Sequence, residues 1–264
     1  TAYRGSLSVP YGGREDQPVF EFASDLQGIT IDMPPPIGKI VADAHRTLRV
    51  TQSFESNGSE VAFDLDQSAG GILRLTGDEV QGGIIEIGRY EPKAVAFDSI
   101  RITGELPYAS LEEWDGFLLR LDALSEGDVA ETFRARLDSV KVQTAEFDLF
   151  GYLLKDVALG LYPDADSWRM TLLNPEVEGT VRLNDDPDVP LEVVLDKVNL
   201  MSDDALTDPL AGLTSDDLLP ADVLIRSVFW DGEDYGTWQF TVQPNLDFVL
   251  LTNLVAQSKG MTID

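Results

Sequence analysis

The chain has 264 residues, of which 47 are acidic and 19 basic, for a net charge of −28, and it contains no cysteine. Such acidity repels phosphate backbones, which excludes nucleic acid as a partner and disfavours broad contact with an anionic membrane surface. The missing cysteines exclude disulfides and thiolate metal sites, and no run approaches the ~20 apolar residues that span a bilayer.

Thr1 leads directly into polar, strand-like sequence with no signal-peptide pattern, so the chain reads as a soluble piece of something larger. From there the dominant period is two, the mark of strands with two unlike faces. In residues 60–66, Val61, Phe63 and Leu65 alternate with Glu60, Ala62, Asp64 and Asp66. At 110–124 the period changes: Leu111, Trp114, Phe117, Leu118, Leu121 and Leu124 stand at helical spacing. Ser110 followed by Glu113 forms a capping box, and Glu112 and Glu113 suit the positive end of the helix dipole. A second short helix is expected over 128–136, capped by Asp128. Trp114 and Phe117 fit packing residues, or residues at the mouth of a ligand groove.

Alternation then resumes. Val157, Leu159 and Leu161 face one way and Ala158 and Gly160 the other. Leu191, Val193 and Leu195 alternate with Glu192, Val194 and Asp196, and Trp238, Phe240 and Val242 alternate with Gln239, Thr241 and Gln243. Turn sequences at 56–60, 76–79, 162–166, 184–188 and 230–234 carry Gly, Asn, Asp or Pro, and such short connections imply antiparallel meanders. An offset of 81 residues aligns Gly151 with Gly232, Pro163 with Pro244, Asp166 with Asp247 and Gly179 with Gly260, and lays Val157, Leu159 and Leu161 on Trp238, Phe240 and Val242. The expected organisation is a β segment at 1–107, a helical insertion at 108–137, and a second β segment at 138–264 with related repeats at about 140–183 and 221–264.

Alternation alone leaves two structures open. The apolar faces fill an ordinary sandwich core, or they line an unfilled trough. For a trough, alternation and the repeat single out Val157, Leu159, Leu161, Val223, Ile225, Trp238, Phe240 and Val242 as lining residues.

Catalytic chemistry has little to stand on. His45 is the single histidine, lies beside Arg46, and reads as an exposed surface residue; no G-x-S-x-G elbow occurs. Zinc sites built on His or Cys are excluded. The acidic turns at 164–166, 185–188 and 231–234 are oxygen-rich, but none matches a calcium loop, and they read as structural turns or weak cation sites. Gly38-Lys39 follows three prolines, not a phosphate-binding glycine loop. No catalytic residue, metal site or cofactor is expected.

Three stretches in order carry a resemblance: SDLQGITIDMPPPIGK at 24–39, ITGELPYASLEEWDGFLLRL at 102–121, and LLPADVLIRSVFWDGEDYGTWQFTVQP at 218–244. Residues 147–183, with an acidic turn before Trp168 and Gly179 opening the next strand, resemble the repeated hairpin of the same family. Together they resemble the YhdP-type AsmA-like proteins. The resemblance implies a mainly β fold: a long, twisted antiparallel sheet curled into an open groove, with one or two short helices. It implies a lipid conduit whose partners are phospholipid acyl chains and other segments of the same longer polypeptide. Localisation would be periplasmic, toward the C-terminal side of an inner-membrane-anchored protein, with membrane contact through other parts. The strong acidity departs from any pattern of basic contacts to lipid head groups. The competing expectation is a β-rich scaffold or adhesion domain with a filled core and calcium-binding acidic turns.

Overall fold

The structure, a computed structural model, describes residues 2–11, 17–42, 44–77, 79–88, 98–114, 134–149, 152–186, 188–200, 219–245, 248–258 and 261–263. The chain is mainly β, with eighteen strands among these residues. Residues 111–114 and 134–136 are helical, at the start of the first predicted helix and the end of the second; the remainder of both lies outside the described residues. The chain divides into two compact units, one formed by residues 1–109 and 113–142, the other by 110–112 and 143–264.

The first unit is built on β1 (Tyr3–Ser8), β2 (Val19–Ser24), β3 (Leu48–Glu55), β4 (Gly58–Leu65), β5 (Ala69–Thr76), β6 (Glu79–Ile87) and β7 (Ile100–Ser110). Neighbours pair in chain order, antiparallel from β1 to β6. Between β6 and β7 the pairing is parallel. Short connections imply antiparallel meanders, but residues 88–99 are a longer connection, as a parallel neighbour needs.

Register decides what each face presents. Three cross-strand rows share one face. The first is Tyr3, Ser24, Leu48, Leu65, Ala69, Ile87, Gly104; the second Gly5, Phe22, Val50, Phe63, Gly71, Ile85, Ile102; the third Leu7, Phe20, Gln52, Val61, Leu73, Gly83, Ile100. The opposite face carries Arg4, Glu21, Arg49, Thr51, Glu60, Asp64, Arg74, Glu86 and Arg101 from the same registers. Arg49 and Asp64 form a cross-strand ion pair there at 3.8 Å, the kind of exposed pair that contributes little stability.

The second unit is built on β9 (Tyr152–Pro163), β10 (Ser167–Leu173), β11 (Val177–Asn184), β12 (Leu191–Leu200), β13 (Ala221–Ile225), β14 (Val228–Trp230), β15 (Glu233–Asp234), β16 (Thr237–Asn245), β17 (Phe248–Ser258) and β18 (Met261–Ile263); β8 (Leu137–Leu149) runs through both units. β9 to β12 form an antiparallel meander. β13 and β14 are successive pieces of one parallel neighbour of β12, broken at Arg226 and Ser227. β13 then pairs β16, and β16, β17 and β18 continue antiparallel. The β14–β15 hairpin turns on Asp231 and Gly232 at φ 50° and 81°, the double positive φ of a tight type I′ turn, as the Asp-Gly pair predicts.

β1 and β18 are edge strands, with one ladder partner apiece among the described residues. Bulges at Arg74/Leu75, Glu178/Gly179 and Gln239/Thr241 interrupt the ladders, and a bulge bends its strand and raises local twist.

Outright burial falls in several places, including Ile100, Leu106, Ala109, Leu137, Phe147, Leu154 and Val157. One cluster joins Leu26, Ile37, Leu65 and Ala69, with Ile31, Met33, Leu48, Ile87 and Trp114 packed on it. Trp114 is therefore a packing residue. The cluster exists because residues 25–47, between antiparallel neighbours β2 and β3, fold back over the apolar face where a two- to five-residue turn would have sufficed. A Cβ on Gly38 would lie 1.9 Å from the Met33 carbonyl oxygen, so no larger residue fits without moving backbone. Gly38→Ala should lower stability by about 2 kcal/mol, the scale of an overpacked, backbone-shifting substitution. Urea denaturation followed by circular dichroism checks this, and an unchanged midpoint would show the segment packs more loosely than described.

Candidate functional site

The second unit gathers the predicted lining residues. Leu159 pairs with Leu172 and Leu161 with Met170; Val223 pairs with Phe240, Ile225 with Trp238, and Ala221 with Val242. Registers through β11 and β12 connect the two groups. Leu161, Met170, Val181, Val193, Val223 and Phe240 form one unbroken row. Leu159, Leu172, Gly179, Leu195, Ile225, Trp238 and Ala256 form the row beside it. A row across seven strands is ~29 Å long at the usual strand spacing, about twice the ~15 Å that one leaflet's hydrocarbon occupies.

The side chains in these rows are half-buried. Leu159, Leu161, Met170, Leu172, Val181, Val193, Leu195, Val223, Ile225, Trp238, Phe240 and Val242 all retain solvent contact, and only Gly179 and Ala256 are fully buried. The middle of a sandwich core would be buried outright, because two interdigitated sheets exclude water from their shared layer. Toward the β17 edge exposure grows: Val249 is 40% and Leu251 52% exposed. Val157 is the exception among the predicted residues. It is 1% exposed and closed off from solvent, next to Asp156, whose φ of 54° breaks the extended run of β9.

The first unit repeats the pattern. In its second and third rows, Phe22, Val50, Phe63, Ile85, Ile102, Val61 and Leu73 are half-buried, Phe20 and Leu7 are exposed, and Ile100, at the β7 end of the third row, is fully buried. Glycines shape this surface. A Cβ on Gly71 would meet the Phe63 ring at 2.9 Å, and one on Gly83 would meet Leu73 Cδ2 at 2.6 Å. On Gly179 it would meet Leu195 Cδ2 at 2.8 Å. Large side chains thus lie down over the bare backbone of the neighbouring strand, as aromatic rescue of glycine does elsewhere, and the face stays low.

Sequence reasoning missed Met170, Leu172 and Val181, and most of the first unit's rows. Their own strands alternate as regularly as those chosen; the missing information was which strand lies beside which.

The polar face holds charges in ordinary cross-strand pairs. Arg226 meets Asp196 at 3.1 Å, Thr241 donates to Asp222 at 2.8 Å, and the Arg169 guanidinium stacks 4.6 Å from the centre of the Tyr162 ring. The acidic turns use their oxygens locally. Asp186 accepts from the N–H of Asp188, Asp234 from that of Gly236, and Asp166 pairs with Arg182 at 3.7 Å. Among the described residues, no three acidic or histidine side chains converge as a metal site would require. Among the described residues, two groups are held away from their ordinary values. Burial, then the hydrogen bond to Glu176, raises Tyr152; the N–H of Gln27, then that of Ala2, lowers Asp25. Asp25 sits at the end of the first row beside Ser24, Tyr152 lies outside the paired rows, and His45 is exposed.

Open β structure with one continuous apolar face, and an opposite face where charges mix with apolar residues such as Ala62, Ile72, Ile84, Val194 and Leu224, defines a class of β protein that presents hydrocarbon-compatible surface. The sequence matches the family described as YhdP protein over residues 1–264, and the chain belongs to that family, an AsmA-like family of lipid-transport proteins. No curated protein and no solved structure matches it. No helix among the described residues is long and apolar enough to cross a membrane.

A half-buried apolar face should bind a hydrophobic dye in the native state. Enhancement of ANS fluorescence is expected without denaturant, and Val193→Glu, in the middle of a row, should reduce it while changing stability by no more than about 1 kcal/mol. Dye fluorescence that rises only on unfolding would show the rows are covered.

Proposed function

We propose that this chain is a segment of a periplasmic lipid conduit, that its apolar rows shelter phospholipid acyl chains, and that it acts by binding and not by catalysis. The observation that carries this is the half-buried state of both apolar faces, joined to membership of a lipid-transport family. Burying a methylene is worth ~0.8 kcal/mol, so a sixteen-carbon tail fully sheltered gains on the order of 12 kcal/mol. A tail lying on one open face loses about half its water contact and gains about half that amount. That holds a tail against water and leaves it free to slide, since every position along a row offers similar contacts.

The head group stays in solvent beside the face, so no basic cluster is needed, and the net charge of −28 is no obstacle. The residues assigned to tail contact are Leu159, Leu161, Val223, Ile225, Trp238, Phe240 and Val242, joined by their row partners Met170, Leu172, Val181, Val193 and Leu195. Other segments of a longer polypeptide would extend the path.

Mass spectrometry of organic extracts from the purified protein should find phospholipid. Phe240→Asp, which sets a carboxylate at the β16 end of a row, should lower photo-crosslinking to a diazirine phospholipid several-fold in a protein that remains folded. Extracts free of lipid, with crosslinking indifferent to the substitution, would remove the proposal.

A further inference from the structure

We propose that residues 25–47 form a fixed lateral wall on the first unit's apolar face, and that Lys39 and Arg46 are the positioning residues that hold it; this rests on the acyl-chain reading of that face. The wall would restrict hydrocarbon to the second and third rows and keep it off the first.

The placement comes from the packing. Leu48, Leu65, Ala69 and Ile87 belong to the first row, at the end of the strands where β2 hands over to the 25–47 segment. Leu26, Ile31, Met33 and Ile37 pack on them. The next row, with Phe22, Val50, Phe63, Ile85 and Ile102, is left half-buried. The segment thus covers one margin of the face and stops.

Its rigidity comes from two cations that bind backbone oxygens. Lys39 is 4% exposed, and its ammonium donates to the carbonyls of Ile29 at 2.5 Å, Ala42 at 2.7 Å and Val41 at 3.0 Å. An ammonium has three donors, and all three are used. Arg46 donates to the carbonyls of Ile37 at 2.6 Å and of Pro36 and Gly38 at 3.0 Å, to the Ser68 hydroxyl, and pairs with Asp66 at 4.0 Å. Lys39 therefore ties the two limbs of the segment together, and Arg46 ties its proline-led tip to the β4–β5 turn. Backbone bonds between Ile31 and Lys39, both 2.9 Å, close the base of the tip. A segment meant to swing aside would not have six carbonyls bound to two side-chain cations; bonds to a charged donor are about twice as strong as neutral ones. The Gly38-Lys39 pair, which as a motif suggested no chemistry, has its place here. Gly38 admits the Met33 carbonyl and Lys39 turns inward beneath the segment.

The test is a labelling map. Vesicles of phosphatidylethanolamine and phosphatidylglycerol containing a phospholipid with a diazirine at the acyl terminus are incubated with the protein and irradiated, and adducts are located by peptide mass spectrometry. Labels are expected on Phe22, Val50, Phe63 and Ile85, and at least fivefold fewer on Leu48, Leu65 and Ala69. In Lys39→Met, labels should appear on Leu65 and Ala69. If that variant loses its near-ultraviolet circular dichroism, the pair Leu26→Ser and Ile37→Ser keeps both cations and should give the same spread. Equal labelling of the two rows in the unaltered protein would overturn the wall while leaving the acyl-chain reading standing, as would labels that stay put in a folded variant. No labels on any row of this unit would overturn the acyl-chain reading itself.

Discussion

Strand register is the constraint on which both faces depend. Side chains alternate with a period of two, so slipping one strand by one residue would turn its apolar set to the charged side. In the first unit, the pairing of Val50 with Phe63, and of Phe63 with Gly71, places a β-branched residue, a ring and a bare backbone side by side. In the second, Val193 against Val223 and Val223 against Phe240 carry a row across a parallel junction into an antiparallel one. The rows survive the change of direction because paired residues lie on the same face in both kinds of ladder. They survive the bulge at Gln239/Thr241 because Trp238, Phe240 and Val242 keep their parity while β17 absorbs the extra residue, with Asn253 at φ 54°.

A sheet whose apolar face is only half covered must find stability elsewhere. A fully buried leucine or phenylalanine contributes about 1.5–3 kcal/mol and a half-buried one correspondingly less. Part of the first unit's complete burial lies where the 25–47 segment meets the sheet, around Leu26, Ile37, Leu65 and Ala69, and part lies at Ile100, Leu106, Ala109 and Leu137. Elsewhere its large side chains pack along the sheet, Phe63 over Gly71 and Leu73 over Gly83. Contact parallel to the surface recovers part of the dispersion energy of a core without a second layer. The same flattening leaves a low, continuous hydrocarbon surface, so one device would serve both stability and the proposed binding.

Much of this was legible in the sequence, and the reason is local. Glu60 to Asp66, Leu191 to Asp196 and Trp238 to Gln243 announce strands and faces through alternation alone, and Asp231-Gly232 announces its turn. What alternation does not carry is partnership. Nothing in residues 167–173 says that Met170 stands beside Leu161 and Val181, and nothing in 100–110 says that β7 runs parallel to β6. Direction and adjacency are set by the length and course of connections. Val157 illustrates a second limit. It has the parity of Leu159 and Leu161, yet Asp156 takes a positive φ that parity cannot foresee, and Val157 ends up buried. The 24–39 stretch was distinctive as a motif, but its role depends on Lys39 turning inward to three carbonyls, a tertiary arrangement without sequence periodicity.

The separation of charge from hydrocarbon bears on the proposed transport. Net charge is −28, yet the apolar rows contain almost no ionisable side chain, and arginines and carboxylates meet on the opposite face. An ion inside the rows would cost far more than a methylene gains, so a single misplaced carboxylate would interrupt a sliding tail. Outside the rows, a net charge far from zero disfavours self-association of a chain that carries apolar surface. An exposed hydrocarbon face would otherwise find its own kind first. In the proposed conduit, acidity would protect the open surface, and an anionic lipid would bring only its tails into contact.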